Sequence, residues 1–133
     1  MSEDKYKESL EKGRKLMEQM LGKDHIEKQL KSRSRYPIFH EWSQRVIYGE
    51  VWSRENLDLR TRSLCVLAAL TVLDRPSQLR LHVSAALRNG AKPEEIVEVI
   101  MQMAFYGGWP VASSALKIVN EVFEEKGIEE FSV

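Results

Sequence analysis

Apolar residues recur at helical spacing along almost the whole chain, and this periodicity constrains the fold more than any other feature. Glycine or proline bounds each amphipathic stretch, as at Gly22, Pro37, Gly49, Pro76 and Gly90. Glycine commonly ends a helix, and proline suits the first turn of one. No convincing pair of segments alternates apolar and polar residues as paired strands do. The sequence therefore predicts an all-α protein with about six or seven helices.

The most apolar segment is Leu59–Leu73, which is apolar nearly all round and follows Asp58. Such a helix is usually central and buried. Cys65 lies inside it, and burial would disfavour a thiolate, so we interpret Cys65 as a small core residue rather than a nucleophile. The other predicted helices are a first helix that ends at Gly22, a short turn capped by Asp24 that runs to about Leu30, a helix from Pro37 to near Gly49, and helices that begin near Pro76, Pro93 and Pro110.

The length and the charge of the chain exclude several classes of protein. The 133 residues suit a single domain over 1–133, and 20 basic against 20 acidic residues argue against a strongly basic nucleic-acid binder. One cysteine excludes an intrachain disulfide. The longest apolar run, Leu64 to Leu73, is about half the length that spans a bilayer. With a charged start unlike a signal peptide, the chain is expected to be cytoplasmic, with no nucleic-acid or membrane partner.

The histidines His25, His40 and His82 are far apart, and no metal-binding, P-loop or GxGxxG motif is present. The sequence therefore predicts neither a metal site nor a nucleotide site. His82 lies on the apolar side of its helix, one turn from Leu79 and Ala86. One interpretation is a core histidine with a single hydrogen bond. The other is a partly desolvated imidazole that can exchange a proton near neutral pH.

Two arginines, Arg60 and Arg62, stand at the start of the apolar helix. Cations at a helix N-terminus oppose its dipole, so an acceptor should compensate them. An anionic ligand would do so, because arginine binds carboxylates with two parallel hydrogen bonds. The acidic residues Glu50, Glu55 or Asp58 would also do so, which leaves a solvated helix start as the alternative.

An aromatic turn, Tyr106-Gly107-Gly108-Trp109-Pro110, separates the last two predicted helices. The glycines allow close backbone approach, and the aromatic rings can wall a pocket. The alternative is an ordinary helix connection with packed rings.

Four stretches in fixed order carry a resemblance that covers nearly the whole chain. They are GEVW at 49–52, RTRSL at 60–64, LHVSAALRNG at 81–90 and EEIVEVIMQMAFYGGWP at 94–110. Each stretch is weak alone, but their order and separations together are fairly specific. By these motifs the chain resembles the carboxymuconolactone decarboxylase family.

The resemblance also selects a branch of the superfamily. The alkylhydroperoxidase-D-like branch uses a CxxC pair, a histidine four residues later and an upstream glutamate. Aligned through His82, the two cysteine positions hold Arg75 and Gln78, and the glutamate position holds Ser63. Without the redox pair, thiol peroxidase chemistry is excluded, which leaves the decarboxylase branch.

The resemblance to that branch implies an all-helical fold, a homohexamer built as a trimer of dimers, and no metal or organic cofactor. The implied reaction is decarboxylation of 4-carboxymuconolactone, a small carboxylated lactone, to 3-oxoadipate enol lactone and CO2. This reaction belongs to the protocatechuate (β-ketoadipate) route of aromatic degradation.

The implied chemistry assigns roles to the candidate residues. His82 would be the proton donor or oxyanion partner, and Arg62, or Arg60 beside it, would bind a carboxylate. Glu50 could orient His82 or Arg62. The pocket walls would come from Trp52, Tyr106 and Trp109.

The sequence departs from the pattern of this family at one place. An Arg-His pair is expected before the G-[DE]-x-W motif, and here Arg45 is followed by Val46. Two alternatives therefore stay open. One is a related enzyme of this fold that acts on another small carboxylated lactone or keto acid. The other is a non-enzymatic helical oligomer or binding module.

Overall fold

A computed structural model of the chain describes residues 1–129, 131 and 133. Across these residues the chain is all-α, as predicted, with eight α-helices, one π-helix and no strand. No helix in this described part is both long enough and apolar enough to cross a membrane. The contacts within the chain divide it into two compact units, Met1–Asp58 and Leu59–Val133. Each unit is described by itself, and the single domain over 1–133 stays a prediction.

The first unit begins with the long helix α1 (Glu3–Leu21). The Ser2 hydroxyl caps it by accepting a hydrogen bond from the Lys5 backbone N–H at 3.3 Å. Gly22, at a φ of 82°, ends it as predicted. Three short helices follow, α2 (Lys23–Lys28), α3 (Leu30–Arg35) and α4 (Pro37–Trp42). These separate pieces raise the number of helices above the predicted six or seven.

Two predicted features of this unit are wrong. Asp24 does not cap α2, because that helix already begins at Lys23 and has no side-chain cap. The single helix predicted from Pro37 to Gly49 is instead α4 followed directly by a π-helix, Ser43–Val51. A π-helix bonds each N–H to the carbonyl five residues earlier, and the Trp52 N–H donates in this way to the Ile47 carbonyl at 2.8 Å.

Two glycines set the spacing between α1 and the π-helix. A Cβ added to Gly13 would overlap the carbonyl oxygen of Gln44, and one added to Gly49 would overlap the carbonyl oxygen of Ser9. Both glycines are buried. The two backbones can therefore approach this closely only because neither position carries a side chain.

The second unit consists of α5 (Leu59–Val72), α6 (Pro76–Arg88), α7 (Pro93–Met103) and α8 (Trp109–Glu125). The first residue of each helix agrees with the predicted start to within a residue, but α7 ends at Met103, earlier than the predicted end at the aromatic turn. Proline occupies the first turn of α6, α7 and α8, where its missing N–H costs nothing. The α5–α6 connection is tight, and Asp74 adopts a positive φ of 54° there.

The core of the second unit lies where the inner faces of these four helices meet. Its largest fully buried members include Leu67, Leu79, Ile96, Ile100 and Phe123. Helices α7 and α8 supply most of this core, including Ile96, Ile100, Ala115, Val119 and Val122.

The prediction that α5 is buried all round is wrong. Only Ser63, Leu67 and Thr71 are buried on it, and they are spaced four residues apart on one face. On the opposite face Cys65 is exposed, so it is not the core residue we predicted. A helix that packs through a single stripe buries only that stripe, and the apolar side chains elsewhere on α5 remain accessible.

Candidate functional site

His82 lies on α6 beside the core residues Leu79, Val83 and Ala86. Its side chain is half-buried, and its Nδ1 atom lies in the protein interior. An imidazole in this position is partly desolvated. It is therefore placed as a proton donor or acceptor should be, although a structural histidine would share this burial.

The two arginines at the start of α5 differ in their surroundings. Arg60 forms an ion pair with Glu95 in the first turn of α7, and its Nε lies 3.2 Å from Oε1. Glu95 also accepts the Lys92 backbone N–H at 3.0 Å, as part of a capping box. Glu95 is thus the acid that pairs with Arg60, and it was not among the acids proposed from the sequence. Arg62 is half-buried, and it points about 200° around the helix from Arg60.

A buried polar pair links α5 to the end of α6. Asn89 donates from Nδ2 to the hydroxyl of Ser63 at 3.0 Å, and Ser63 is fully buried. The sequence indicated only a helix end at the neighbouring Gly90, so this contact of Asn89 was not predicted. A serine on the inner stripe of an apolar helix was the available signal, because a buried hydroxyl requires a partner.

Glu50 lies on the π-helix and pairs with Arg45, whose Nη1 is 2.8 Å from Oε1. The two residues are five apart, which is the repeat that a π-helix brings into register. The Arg45 guanidinium also lies over the ring of Tyr6, 5.3 Å from its centroid. Arg45 is therefore the partner that the structure gives Glu50, and a search for i,i+3 and i,i+4 pairs could not have found it.

Trp52 follows the π-helix and is buried, as a pocket wall would be. Its ring stacks on Tyr48, with centroids 6.3 Å apart and planes inclined by 24°. Burial raises the pKa of the Tyr48 phenol above its usual range. Trp52 thus belongs to a rigid aromatic pair within the first unit.

In the aromatic turn after α7, the backbone at Gly107 lies close to Val72 of α5, as the glycines of the turn predict. A Cβ on Gly107 would overlap the side chain of Val72. Trp109 lines an apolar cavity of about 250 Å³, together with Met101, Phe105 and Leu116. Of the residues that the structure describes, no charged one lines that cavity, and neither His82 nor Tyr106 is part of it. Tyr106 is 80 % exposed and Trp109 70 % exposed.

The candidate residues are thus divided between the two units. The second unit carries His82, Arg60, Arg62, Tyr106 and Trp109, whereas Glu50 and Trp52 belong to the first. Their convergence on one substrate pocket stays a prediction. Among residues 1–129, 131 and 133, no group of three or more His, Cys, Asp or Glu side chains is placed to hold a metal ion.

Comparisons with known proteins place the chain in a family. The model of the carboxymuconolactone decarboxylase family matches residues 37–121. A 4-carboxymuconolactone decarboxylase of Acinetobacter baylyi is 35% identical over 127 residues, which are 95% of this chain and 92% of that protein. An uncharacterised 15.0 kDa protein of Paracoccus denitrificans is 42% identical over 85 residues, 62% of this chain and 63% of that one.

A more distant relative is a nitrosuccinic acid decarboxylase of Metarhizium robertsii. It is 25% identical over 129 residues, which cover 93% of this chain and 87% of the relative. Two of these relatives are thus named decarboxylases, although their names give different substrates. The family match and the 35% identity over nearly the full length lead to the same result. The chain belongs to the carboxymuconolactone decarboxylase family.

Proposed function

We propose that this protein is a carboxy-lyase that converts 4-carboxymuconolactone to 3-oxoadipate enol lactone and CO2, in the protocatechuate route of aromatic degradation. The observation that carries the proposal is the 35% identity, over 95% of the chain, to a protein named for this activity. The half-buried His82 adds a group suited to the proton transfer that the reaction needs.

The substrate explains why the reaction needs no organic cofactor. The departing carboxylate is on the ring carbon that bears the ring oxygen, and a ring C=C links that carbon to the lactone carbonyl. When the C–C bond to CO2 breaks, its electron pair moves through the double bond onto the carbonyl oxygen. The resulting dienolate then takes a proton on the carbon next to the carbonyl. The substrate supplies the electron sink that a cofactor supplies in other decarboxylases.

The protein then has three tasks. Arg62 is the better candidate to orient a carboxylate, since it is half-buried whereas Arg60 is exposed. Neutral donors or backbone N–H groups would stabilise the dienolate oxygen. His82 would donate the proton or assist at that oxygen. Trp52, Tyr106 and Trp109 remain proposed pocket walls, with Glu50 as the proposed orienting residue.

A direct assay tests the proposal. Purified protein is mixed with 4-carboxymuconolactone in the presence of a chelator, and both CO2 release and enol-lactone formation are followed. We expect turnover that the chelator does not reduce. Absence of turnover by folded protein would contradict the proposed substrate, and turnover that the chelator abolishes would contradict catalysis without a metal.

The second candidate is a related decarboxylase with another small substrate. The relative named nitrosuccinic acid decarboxylase favours this candidate, because its name gives a different carboxylated substrate for a protein of similar sequence. The Arg45-Val46 sequence before the GEVW motif also favours it. Nitrosuccinate is the matched alternative substrate, and CO2 release from it but not from the lactone would select this candidate.

The two arginines of α5 should respond differently to substitution. We expect Arg62→Gln to lower kcat/KM at least tenfold, through loss of a charge-assisted contact with substrate. Arg60→Gln should change kcat/KM by less than threefold and the free energy of unfolding by less than about 1 kcal/mol, because its ion pair is partly exposed. Steady-state kinetics and urea unfolding of both variants measure this. Equal losses of kcat/KM would contradict the assignment of Arg62.

We also propose that the protein self-associates, as a homohexamer. The family resemblance supports this, and so do large apolar side chains that remain exposed, among them Phe105 and Trp109. Sedimentation velocity should then give a mass about six times the 15.4 kDa of the chain. A single species at the monomer mass would contradict it.

A further inference from the structure

The first unit contains a second cavity, and none of the residues that line it has been assigned a catalytic role. It is widely open to solvent, has a volume of about 560 Å³ and lies between the end of α2, α4 and the π-helix. Its polar lining comes from Gln29, His40, Ser43 and Arg45, and its aromatic lining from Phe39 and Trp42. Small-molecule sites have this volume and this mixture of apolar walls and a few polar groups.

Arg45 is the cation of this cavity, and its hydrogen bonds are incomplete. Its guanidinium has five N–H donors. Glu50 accepts one of them at Nη1, while the Nε atom is buried and has no acceptor in the described part of the chain. A half-satisfied guanidinium that is only 17 % exposed is costly. An anion in the cavity would lower that cost by accepting hydrogen bonds from the remaining donors.

The nearby acids leave room for such an anion. Glu50 pairs with Arg45 on the same π-helix, and Glu41 accepts a hydrogen bond from the Tyr6 hydroxyl. Neither carboxylate lines the cavity. Among the residues that the structure describes, the ionisable side chains that line it are Arg45 and His40, so this described lining carries no negative charge.

His40 and its neighbours shape the rest of the cavity. The Nε2 atom of His40 is 3.1 Å from the Ser32 hydroxyl, and its ring meets Phe39 edge-on at 5.7 Å. These contacts hold the imidazole in place at the rim. The flat rings of Phe39 and Trp42 remain largely exposed, at 65 % and 56 %, and offer stacking surfaces for an apolar ring.

We propose that this cavity binds a small aromatic carboxylate, with its carboxylate on Arg45 and its ring between Phe39 and Trp42. Arg45 belongs to the π-helix, and π-helical segments occur often at functional sites. This binding does not depend on the proposed decarboxylation, and it requires no turnover to be detected.

Calorimetric titration with benzoate tests the proposal, with benzamide as the neutral probe of the same shape. We expect benzoate to bind the full-length protein and benzamide to bind at least tenfold more weakly, because only benzoate carries the charge. Arg45→Gln should weaken benzoate at least tenfold. Val46→Phe should also do so by filling the cavity, and it leaves the Arg45–Glu50 pair in place.

The matched control is Arg80→Gln, which removes a surface arginine paired with Glu121 and Glu125 in the second unit. It should leave benzoate affinity unchanged. The proposal is overturned if benzoate does not bind, or if both Arg45→Gln and Val46→Phe bind it as the unchanged protein does. If benzoate fails to bind while Phe39→Asp lowers the mass measured by sedimentation, a second copy of the chain covers this face instead.

Discussion

Replacing His82 with alanine is expected to lower kcat for CO2 release by about 10²- to 10⁴-fold, the usual cost of losing a general acid. The side chain is half-buried on α6, so the loss of packing should be modest. Circular dichroism should therefore show an unchanged helix content. Kinetics with the preferred lactone substrate measure the effect.

The conservative variant His82→Gln separates a chemical role from a structural one. Glutamine can keep a hydrogen bond and most of the packing, but it cannot exchange a proton near neutral pH. We expect His82→Gln to be nearly as inactive as His82→Ala, and to lose the pH dependence of kcat that the histidine confers. Recovery of activity in His82→Gln would show that the residue acts through packing, and an active His82→Ala would remove it from the mechanism.

Substitution of Gly13 or Gly49 by alanine is expected to lower the free energy of unfolding by about 3 kcal/mol, the upper end of the cost of overpacking. Alanine normally stabilises a helix interior relative to glycine by about 0.5–1 kcal/mol. Here the added methyl group meets a backbone carbonyl oxygen, of Gln44 or Ser9, which cannot rotate away as a side chain could. The clash should therefore reverse the usual sign.

Urea unfolding measures these changes, with Gln19→Ala on the exposed side of α1 as the matched control. That control should change stability by less than about 0.5 kcal/mol. A Gly13→Ala variant as stable as the original chain would show that α1 and the π-helix can separate at no cost.

The second unit was largely predictable from sequence, and the reason is local. Proline at the first turn predicted the starts of α6, α7 and α8, glycine after the last turn predicted the ends of α6 and α8, and the apolar stripes predicted the buried faces. The apolar pattern of α5 led to a wrong prediction of burial on every side. A sequence pattern identifies which residues are apolar, but not which of them contact other helices. Cys65 is exposed for that reason.

The first unit was less predictable, because its key contacts do not follow the α-helical repeat. The two residues of the Arg45–Glu50 pair are five apart, and the composition of the π-helix that permits this pair does not distinguish it from an α-helix. The Arg60–Glu95 pair joins residues 35 apart, which no local pattern indicates. The GEVW motif was recognised as a family signature, and the structure gives its members physical roles. Gly49 allows close packing, Glu50 binds Arg45, and Trp52 stacks on Tyr48.

The π-helix also makes the number of residues in this segment as important as their identity. Deleting one residue between Arg45 and Glu50 would leave the two four apart, the spacing that an ordinary α-helix brings together. The pair could therefore survive that deletion, with the π-helix replaced by an α-helix. Inserting one residue would instead set them six apart, a spacing that neither an α-helix nor a π-helix brings onto one face. We therefore expect homologous sequences to tolerate a one-residue deletion here more readily than a one-residue insertion.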